Sequence, residues 1–438
     1  MGTSVILIFD IGKTNKKFFL FDEDLKVIVN QSRSFDEIPD DDGFLSEDLN
    51  ALVNWIRTIV TRIVSNPLYD VKTINFSTYG ASLVHLDKNG EVIAPFYNYL
   101  KPFPEEHKHS FLKKYNAENQ FSLTSASPFM GFLNSGLQLY YLKKAKSKLF
   151  KNLYQSLHFP QYLSYLFTGK ICSEYTSLGC HTGLWDFKND TYAQWVKEEG
   201  FEKYLAPIQA SSKVFPTSIN GKSINIGIGV HDSSAALIPY IQKSAEPFVL
   251  ISTGTWNICM NPFNNEPLKN VELQNDCLNF LGIMGDSIKA SRVFLGQEHA
   301  DQVKLLSEYF NSDKEHYKSI IYDDDFVSMN NQGQLLFKYI HLNSDRIGFK
   351  EAESTDYSEF KNFSQAYHQL IHELTEIQIA SLKLALGKTQ IRTVFIDGGF
   401  SGNDVFVGML IKKLPEYDIQ IGNFKNGSAL GAAMVVST

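Results

Sequence analysis

Leu7-Ile-Phe-Asp-Ile-Gly-Lys-Thr-Asn-Lys16 is an apolar run that ends on an acid, a glycine and a short polar turn. The same order of residues returns in Val249-Leu-Ile-Ser-Thr-Gly-Thr-Trp-Asn-Ile258. Asp10, Gly12, Thr14 and Asn15 run beside Ser252, Gly254, Thr255 and Asn257. A short apolar run bounded by a glycine turn reads as a buried strand, and the segment after each turn reads as a second strand. Two similar halves predict a duplicated fold with a cleft between them.

Outward from the first turn, Lys17 to Phe21 and Lys26 to Val29 read as a meander. Leu49, Leu52, Val53, Ile56, Ile59, Val60 and Ile63 follow helical spacing. Thr73 to Thr78 is a buried strand, and Leu83 to Ile93 reads as a hairpin about Asn89-Gly90. Residues from about Pro102 to Trp195 are aromatic and mixed, and read as an insertion that shapes a pocket. Ile224 to Gly229 is a strand and Ser233 to Ile241 a helix. The polar link Gln242 to Glu246 precedes Pro247, so the domains are placed at 1–243 and 244–438. The second half then predicts a helix over Phe363 to Leu386 and a strand over Thr393 to Ile396. A helix over Asp404 to Leu414, a strand over Asp418 to Gly422 and a helix from Ser428 follow. Alternating strands and helices mean an α/β fold.

A chain of 438 residues is too long for one ordinary core. A net charge of -7 argues against a nucleic-acid surface, which needs clustered Lys and Arg. Cys172, Cys180, Cys259 and Cys277 form no CxxC pair, so no zinc ribbon or redox motif is expected. No run of about 18 apolar residues predicts a membrane span. The chain opens directly into a strand, so neither a signal peptide nor a DNA-binding helix pair ahead of it is expected, and a cytoplasmic location is.

Four segments could carry chemistry. In Asp10-Ile-Gly-Lys-Thr-Asn-Lys-Lys17 the glycine lets backbone N–H groups approach phosphate oxygens, and an acid at a strand end can hold a hydrated Mg²⁺. Alone this turn is a weak signal, and an ordinary hairpin turn is at least as good a reading. Ser252-Thr-Gly-Thr-Trp-Asn257 offers the same donors in the other half, and a matched pair is far more specific. In Gly227-Ile-Gly-Val-His-Asp-Ser-Ser-Ala-Ala236, Asp232 could accept a hydroxyl proton and His231 bond a sugar. On that segment alone a helix N-cap is the favoured role for Asp232. In Gly398-Gly-Phe-Ser-Gly-Asn403 a glycine-rich turn could lie against adenine, at even odds with Asn403 as a simple cap. His341, His368 and His372 show no metal-like grouping, and the runs Asp40-Asp41-Asp42 and Asp323-Asp324-Asp325 read as solvated loops.

The order of these segments resembles the FGGY carbohydrate kinases, within the actin, Hsp70 and sugar-kinase superfamily. The resemblance runs from Val5 to the Ala429-Leu-Gly-Ala-Ala433 segment and looks closest to the rhamnulokinase and fuculokinase branch. It implies two ribonuclease-H-like domains with ATP and a small sugar in the cleft. It implies Asp232 as general base and Asp10 near Mg²⁺. Gly12, Thr14, Asn15, Lys17, Gly254 and Thr255 would serve the phosphates, and Gly399 and Asn403 would lie near the adenosine. Tyr79, Gly80 and His231 would face the sugar, expected to be a ketose such as L-rhamnulose or L-fuculose. Departures from the family pattern are Lys13 for a small residue, Lys17 for the frequent Arg, Ala81-Ser82 after Gly80 where an acid is usual, and Asn426 for a frequent Glu. Lys keeps the charge of Arg and loses its bidentate fork. Xylulose, ribulose or glycerol kinases of the same fold, and an actin- or Hsp70-like ATPase without an acceptor base, are the rival readings. A homodimer is compatible with the fold and is not decided by its symmetry.

Overall fold

The computed structural model describes residues 2–323, 335–342, 348, 350, 352–422 and 424–437, so Asp324 and Asp325 of the second acidic run lie outside the described residues. Its contacts divide the chain into two compact units. Unit 1 is Met1–Lys243 with Asn279–Ser287 and Phe424–Thr438, and unit 2 is Ser244–Leu278 with Ile288–Asn423. Two segments expected in the second domain therefore belong to the first.

In unit 1 the strand Thr3–Ile11 is central to a seven-stranded sheet. It pairs in parallel with Tyr69–Thr78 and antiparallel with Lys16–Phe21. Its apolar run is unbroken because both faces are covered, as strands buried on two sides require. Leu7, Phe9 and Ile11 pack with Leu52, Trp55 and Ile56 of the helix Leu49–Ser65. Ile8, with Phe19 and Phe21 of the next strand, packs with Ala235, Ile238, Ala429 and Ala432 on the other face. That second face is closed by the helices Asp232–Lys243 and Gly427–Val436. Small residues let these two helices approach closely: a Cβ on Gly431 would lie 1.9 Å from the Ala235 carbonyl oxygen. The first helix starts where Asp48 accepts the Ala51 N–H at 2.9 Å.

The expected hairpin over Leu83 to Ile93 is only partly formed. The turn exists, with Gly90 at φ 84°, and Val92 makes a single bridge to Leu86. The four buried residues Leu83–Leu86 instead pair with Gln155–His158. Pro95, which lacks a ladder donor, follows too closely for a second strand to develop. The aromatic insertion builds a core of its own, in which Phe111 stands 5.1 to 5.2 Å from the rings of Phe121, Tyr140 and Trp195.

Unit 2 repeats the central plan. Phe248–Thr253 pairs in parallel with Thr393–Gly398 and antiparallel with Asn257–Asn261 in a six-stranded sheet. The helix Phe363–Leu386 is buried along most of its length, is capped by Asn362 on the Gln365 N–H at 2.9 Å, and stops at Gly387, whose φ is 56°. The repeat, the buried strands and the alternation with helices match the sequence expectation of an α/β fold.

Candidate functional site

The parallel ladders of unit 1 bring three segments level at one end of the sheet. Asp10 lies opposite Ser77, and Val230 of the short strand Val230–His231 lies opposite the same Ser77. Asp10 and the His231-Asp232 pair thus meet at the carboxyl ends of parallel strands, where α/β sheets usually bind ligands. After Asp10 the chain turns with the Gly12 N–H donating to the Asn15 carbonyl at 3.0 Å, which leaves Thr14 and Asn15 exposed at the tip.

Strand alternation then sends Lys16 inward and Lys17 to the Asp10 side. Lys16 is 3% exposed. Its ammonium donates to the Lys13 carbonyl at 2.8 Å and pairs with Glu47 at 2.6 Å. Glu47 also accepts the Tyr79 hydroxyl at 2.6 Å. Burial and the Glu47 charge push the Tyr79 hydroxyl well above its ordinary pKa, so it stays protonated and committed to Glu47. Tyr79, expected to face a sugar, is buried in the core with its only polar atom taken.

The two carboxylates are held up at about 6 each. For Asp10 the causes are burial and the charge of Asp232, opposed by the Ser428 hydroxyl at 3.0 Å, by Lys17 and by Ser77. For Asp232 the cause is burial, opposed by the Ser233 N–H and hydroxyl at 2.6 and 3.2 Å. Those Ser233 bonds, and the nearby His231 Nε2 at 3.2 Å, all fall on Oδ1. Oδ2 has no hydrogen-bond partner among the described residues. Asp232 opens the helix Asp232–Lys243 as its first residue.

His231 is sealed in place. Its N–H donates to Thr176 Oγ1 at 2.9 Å, Nδ1 stands 3.3 Å from Ser234 Oγ, and Nε2 stands 3.0 Å from Cys180 Sγ. Burial pushes its pKa down to about 3, so the short approach to Asp232 is a contact with a neutral imidazole and not an ion pair. Gly80 is required beside it: a Cβ there would lie 2.0 Å from Cys180 Sγ and 3.2 Å from His231 Cδ2.

In unit 2 the matching turn borders a cavity of about 480 Å³. Gly254 and Thr255 line it on one side and Gly399 and Asn403 on another, so four residues expected to hold a nucleotide share one cavity. The Gly254 N–H donates to the Trp256 carbonyl at 3.0 Å, and the Gln297 N–H to the Thr255 carbonyl at 3.2 Å. Gly296 must be a glycine, because a Cβ would fall 1.7 Å from the Gly254 carbonyl oxygen. Thr253 ties the two turns together, donating to the Asp397 carbonyl at 2.6 Å and accepting the Phe400 N–H at 2.9 Å. Asn403 is both a cap and a wall: Oδ1 accepts the Phe406 N–H at 3.1 Å while Nδ2 donates to the Tyr367 hydroxyl at 2.7 Å.

Residues 5–231 match the N-terminal domain of the FGGY family of carbohydrate kinases. The chain belongs to that family. Rhamnulokinases are among the relatives of this FGGY chain. That of Halalkalibacterium halodurans is 23% identical over 58% of this chain and 55% of its own length, so the match spans about half of that relative. That of Bacteroides thetaiotaomicron is 22% identical over 83% of this chain and 77% of its own. The fold is that of a carbohydrate kinase from Novosphingobium aromaticivorans, with a TM-score of 0.77 and 22% identity over 100% of this chain and 92% of that one. A xylulose kinase from Lactobacillus acidophilus matches with a TM-score of 0.77 and 15% identity over 99% of this chain and 89% of that one.

Several site residues of this FGGY chain escaped the sequence reading. Ser428 opens the recognised Ala429-Leu-Gly-Ala-Ala433 segment, which was a usable signal. Lys16 and Glu47 were legible only as a strand lysine and an acid before a helix. Thr176 and Cys180 carry no local signal, because they reach His231 only through the fold. Tyr99 is likewise new to the site: burial and the Asp232 charge push its hydroxyl up to about 12. In the run Asp40-Asp41-Asp42 the last two residues are exposed, as a solvated loop predicts, and the run is also tied to two lysines. Lys101 pairs with Asp40 and Asp42 at 2.6 and 2.5 Å, and Lys146 with Asp41 and Asp42 at 3.0 and 2.5 Å. Two lysines standing where a cation would sit make the cluster a closed ion-pair network. Among the described residues no other trio of His, Cys, Asp and Glu has metal-ligand spacing.

Proposed function

We propose that this chain transfers the γ-phosphoryl group of ATP to a hydroxyl of a small sugar, a ketose of the rhamnulose or fuculose type. The observation that carries the reading is Asp232. One oxygen is immobilised by Ser233, the other is open, and burial holds the group basic enough to take a hydroxyl proton near neutral pH. Phosphoryl transfer needs mainly positioning and charge stabilisation, so one such carboxylate suffices. Neutral His231, held by Cys180, Ser234 and Thr176, orients the acceptor beside it. The cavity of unit 2 takes the nucleotide, with Gly254 and Thr255 toward the phosphates and Gly399 and Asn403 toward the adenosine.

Asp10 suits Mg²⁺ by its chemistry. It is a hard oxygen donor that burial and the Asp232 charge both drive toward protonation, a strain a divalent cation relieves. Mg²⁺ bound there would neutralise phosphate charge. Ser428 fixes the Asp10 carboxylate, and Lys17 adds a positive charge on the same side. The test is ADP release with ATP and Mg²⁺ against a panel of ketoses, polyols and aldoses. Strong stimulation by one ketose supports the reading. ADP release that no sugar changes favours an actin- or Hsp70-like ATPase, and stimulation by xylulose, ribulose or glycerol moves the acceptor to the rival kinases.

A further inference from the structure

His299, on the helix Leu295–Tyr309, lines the unit 2 cavity beside Tyr317 and Phe400. Its Nε2 stands 3.0 Å from the Tyr367 hydroxyl oxygen, and Asn403 Nδ2 stands 2.7 Å from that same oxygen. The amide orientation is settled, because Asn403 Oδ1 accepts the Phe406 N–H that starts the next helix. Nδ2 therefore donates to Tyr367. The Tyr367 side chain is fully buried, and burial keeps its hydroxyl protonated. Among the described residues its one hydrogen then has a single acceptor, His299 Nε2. The opposite tautomer would aim two donors at one oxygen and leave the hydroxyl hydrogen without a partner, forfeiting a buried hydrogen bond.

Burial keeps the His299 ring neutral, pushing its pKa down to about 4. A neutral ring with a bare Nε2 carries its proton on Nδ1. That atom has no hydrogen-bond partner among the described residues and, unlike His85 Nε2, is not sealed from solvent. The Tyr317 and Phe400 rings hold the imidazole edge-on at centroid distances of 5.1 and 5.0 Å. The result is a rigid, uncharged donor in an aromatic corner of the cavity.

We propose that the His299 Nδ1–H is a base-reading donor that pairs with an unprotonated ring nitrogen of a purine nucleotide, in the orientation set by the Asn403–Tyr367–His299 relay. This rests on the nucleotide reading of the cavity given above. A purine fits the corner better than phosphate. The donor is neutral and flanked by rings, whereas a polyphosphate calls for charge and backbone donors, which Gly254 and Thr255 offer elsewhere in the cavity. Lys318, a cation on the same wall, is paired with Glu315.

Two measurements test it on the intact protein. The first is the tautomer, read from nitrogen-15 imidazole spectra with His299 assigned by its loss in His299→Leu. A protonated Nδ1 and bare Nε2 are expected, and an Nε2–H tautomer overturns the relay whatever the protein binds. The second is calorimetric binding of ADP and of its 1-deaza, 3-deaza and 7-deaza analogues. One analogue is expected to bind wild type about tenfold more weakly than ADP, the loss of one hydrogen bond. That penalty should vanish in His299→Leu and shrink in Tyr367→Phe, which keeps the ring and loses only the hydroxyl. Equal binding of all four ligands, or a penalty unchanged in His299→Leu, overturns the assignment. No ADP binding by wild type overturns the nucleotide reading itself, while the tautomer result still stands on its own.

Discussion

In unit 1 the step from the central strand to the next sets Ile11 opposite Lys16, and in unit 2 the same step sets Thr253 opposite Asn257. Both partners open the second strand and both are buried polar residues. Lys16 is satisfied by a charge, Glu47 at 2.6 Å. Asn257 Nδ2 donates to a neutral amide, the Gln378 oxygen at 2.9 Å, while its own buried Oδ1 has no hydrogen-bond partner among the described residues. The residues one step earlier differ in the same sense: Asp10 against Ser252. One backbone plan therefore carries two electrostatic designs. The charged turn stands beside Asp232 and suits proton and metal chemistry. The uncharged turn borders a cavity and suits recognition through backbone groups. The two units share the backbone plan, and the side chains at matched positions differ in charge.

The sharpest way to break this division is Asp232→Asn. Turnover is expected to fall about 10²- to 10⁴-fold, the usual share of a general base, with ADP affinity unchanged. A parallel loss of ADP affinity would show that the two designs are not separable. Next comes the buried partner at each turn. Glu47→Gln leaves the Lys16 charge unpaired and is expected to cost about 3 to 5 kcal/mol in denaturant unfolding. Gln378→Leu removes neutral groups alone, the acceptor of Asn257 Nδ2 and the donor to Cys259 Sγ, and should cost about 1 to 3 kcal/mol. Equal costs would erase the contrast.

Gly296→Ala pushes a Cβ onto the Gly254 carbonyl oxygen at 1.7 Å and should weaken ADP binding about tenfold or more, with sugar binding retained. Last is pH. Asp232 must be ionised to act, so kcat/KM should fall about tenfold per unit below its pKa of about 6. Stability runs the other way. Between the ordinary 3.8 and about 6 the native carboxyl binds its proton more tightly than the unfolded one, so ionising it as pH rises through that window removes stability. Asp232→Asn is therefore expected to raise Tm at pH 7.5 and to raise it less at pH 5. A gain independent of pH would mean that burial of the charge is not what holds the group up.

Most elements were legible because the pattern behind them is local. The strand Thr3–Ile11, the helix Leu49–Ser65 and the helix Phe363–Leu386 each carry the apolar period their burial demands. The strand pairing of Leu83–Leu86 was not legible, because its partner Gln155–His158 is remote in the chain and leaves no mark on the nearer segment. The surroundings of Tyr79 were hidden for a related reason. The family resemblance implied a sugar contact for it, and only the fold revealed Glu47 already bonded to its hydroxyl.

By itself the amino-acid sequence determined the duplicated strand–turn–strand plan, the α/β class and the candidate carboxylates Asp10 and Asp232. Apolar period and residue type are properties of neighbours along the chain. Only the tertiary structure decided the protonation of those groups and the company they keep. Ser428 on Asp10, Cys180 on His231 and Tyr367 between His299 and Asn403 are pairings across long stretches of chain. Burial and hydrogen bonding set a pKa or a tautomer only once such distant atoms have been brought within about 3 Å.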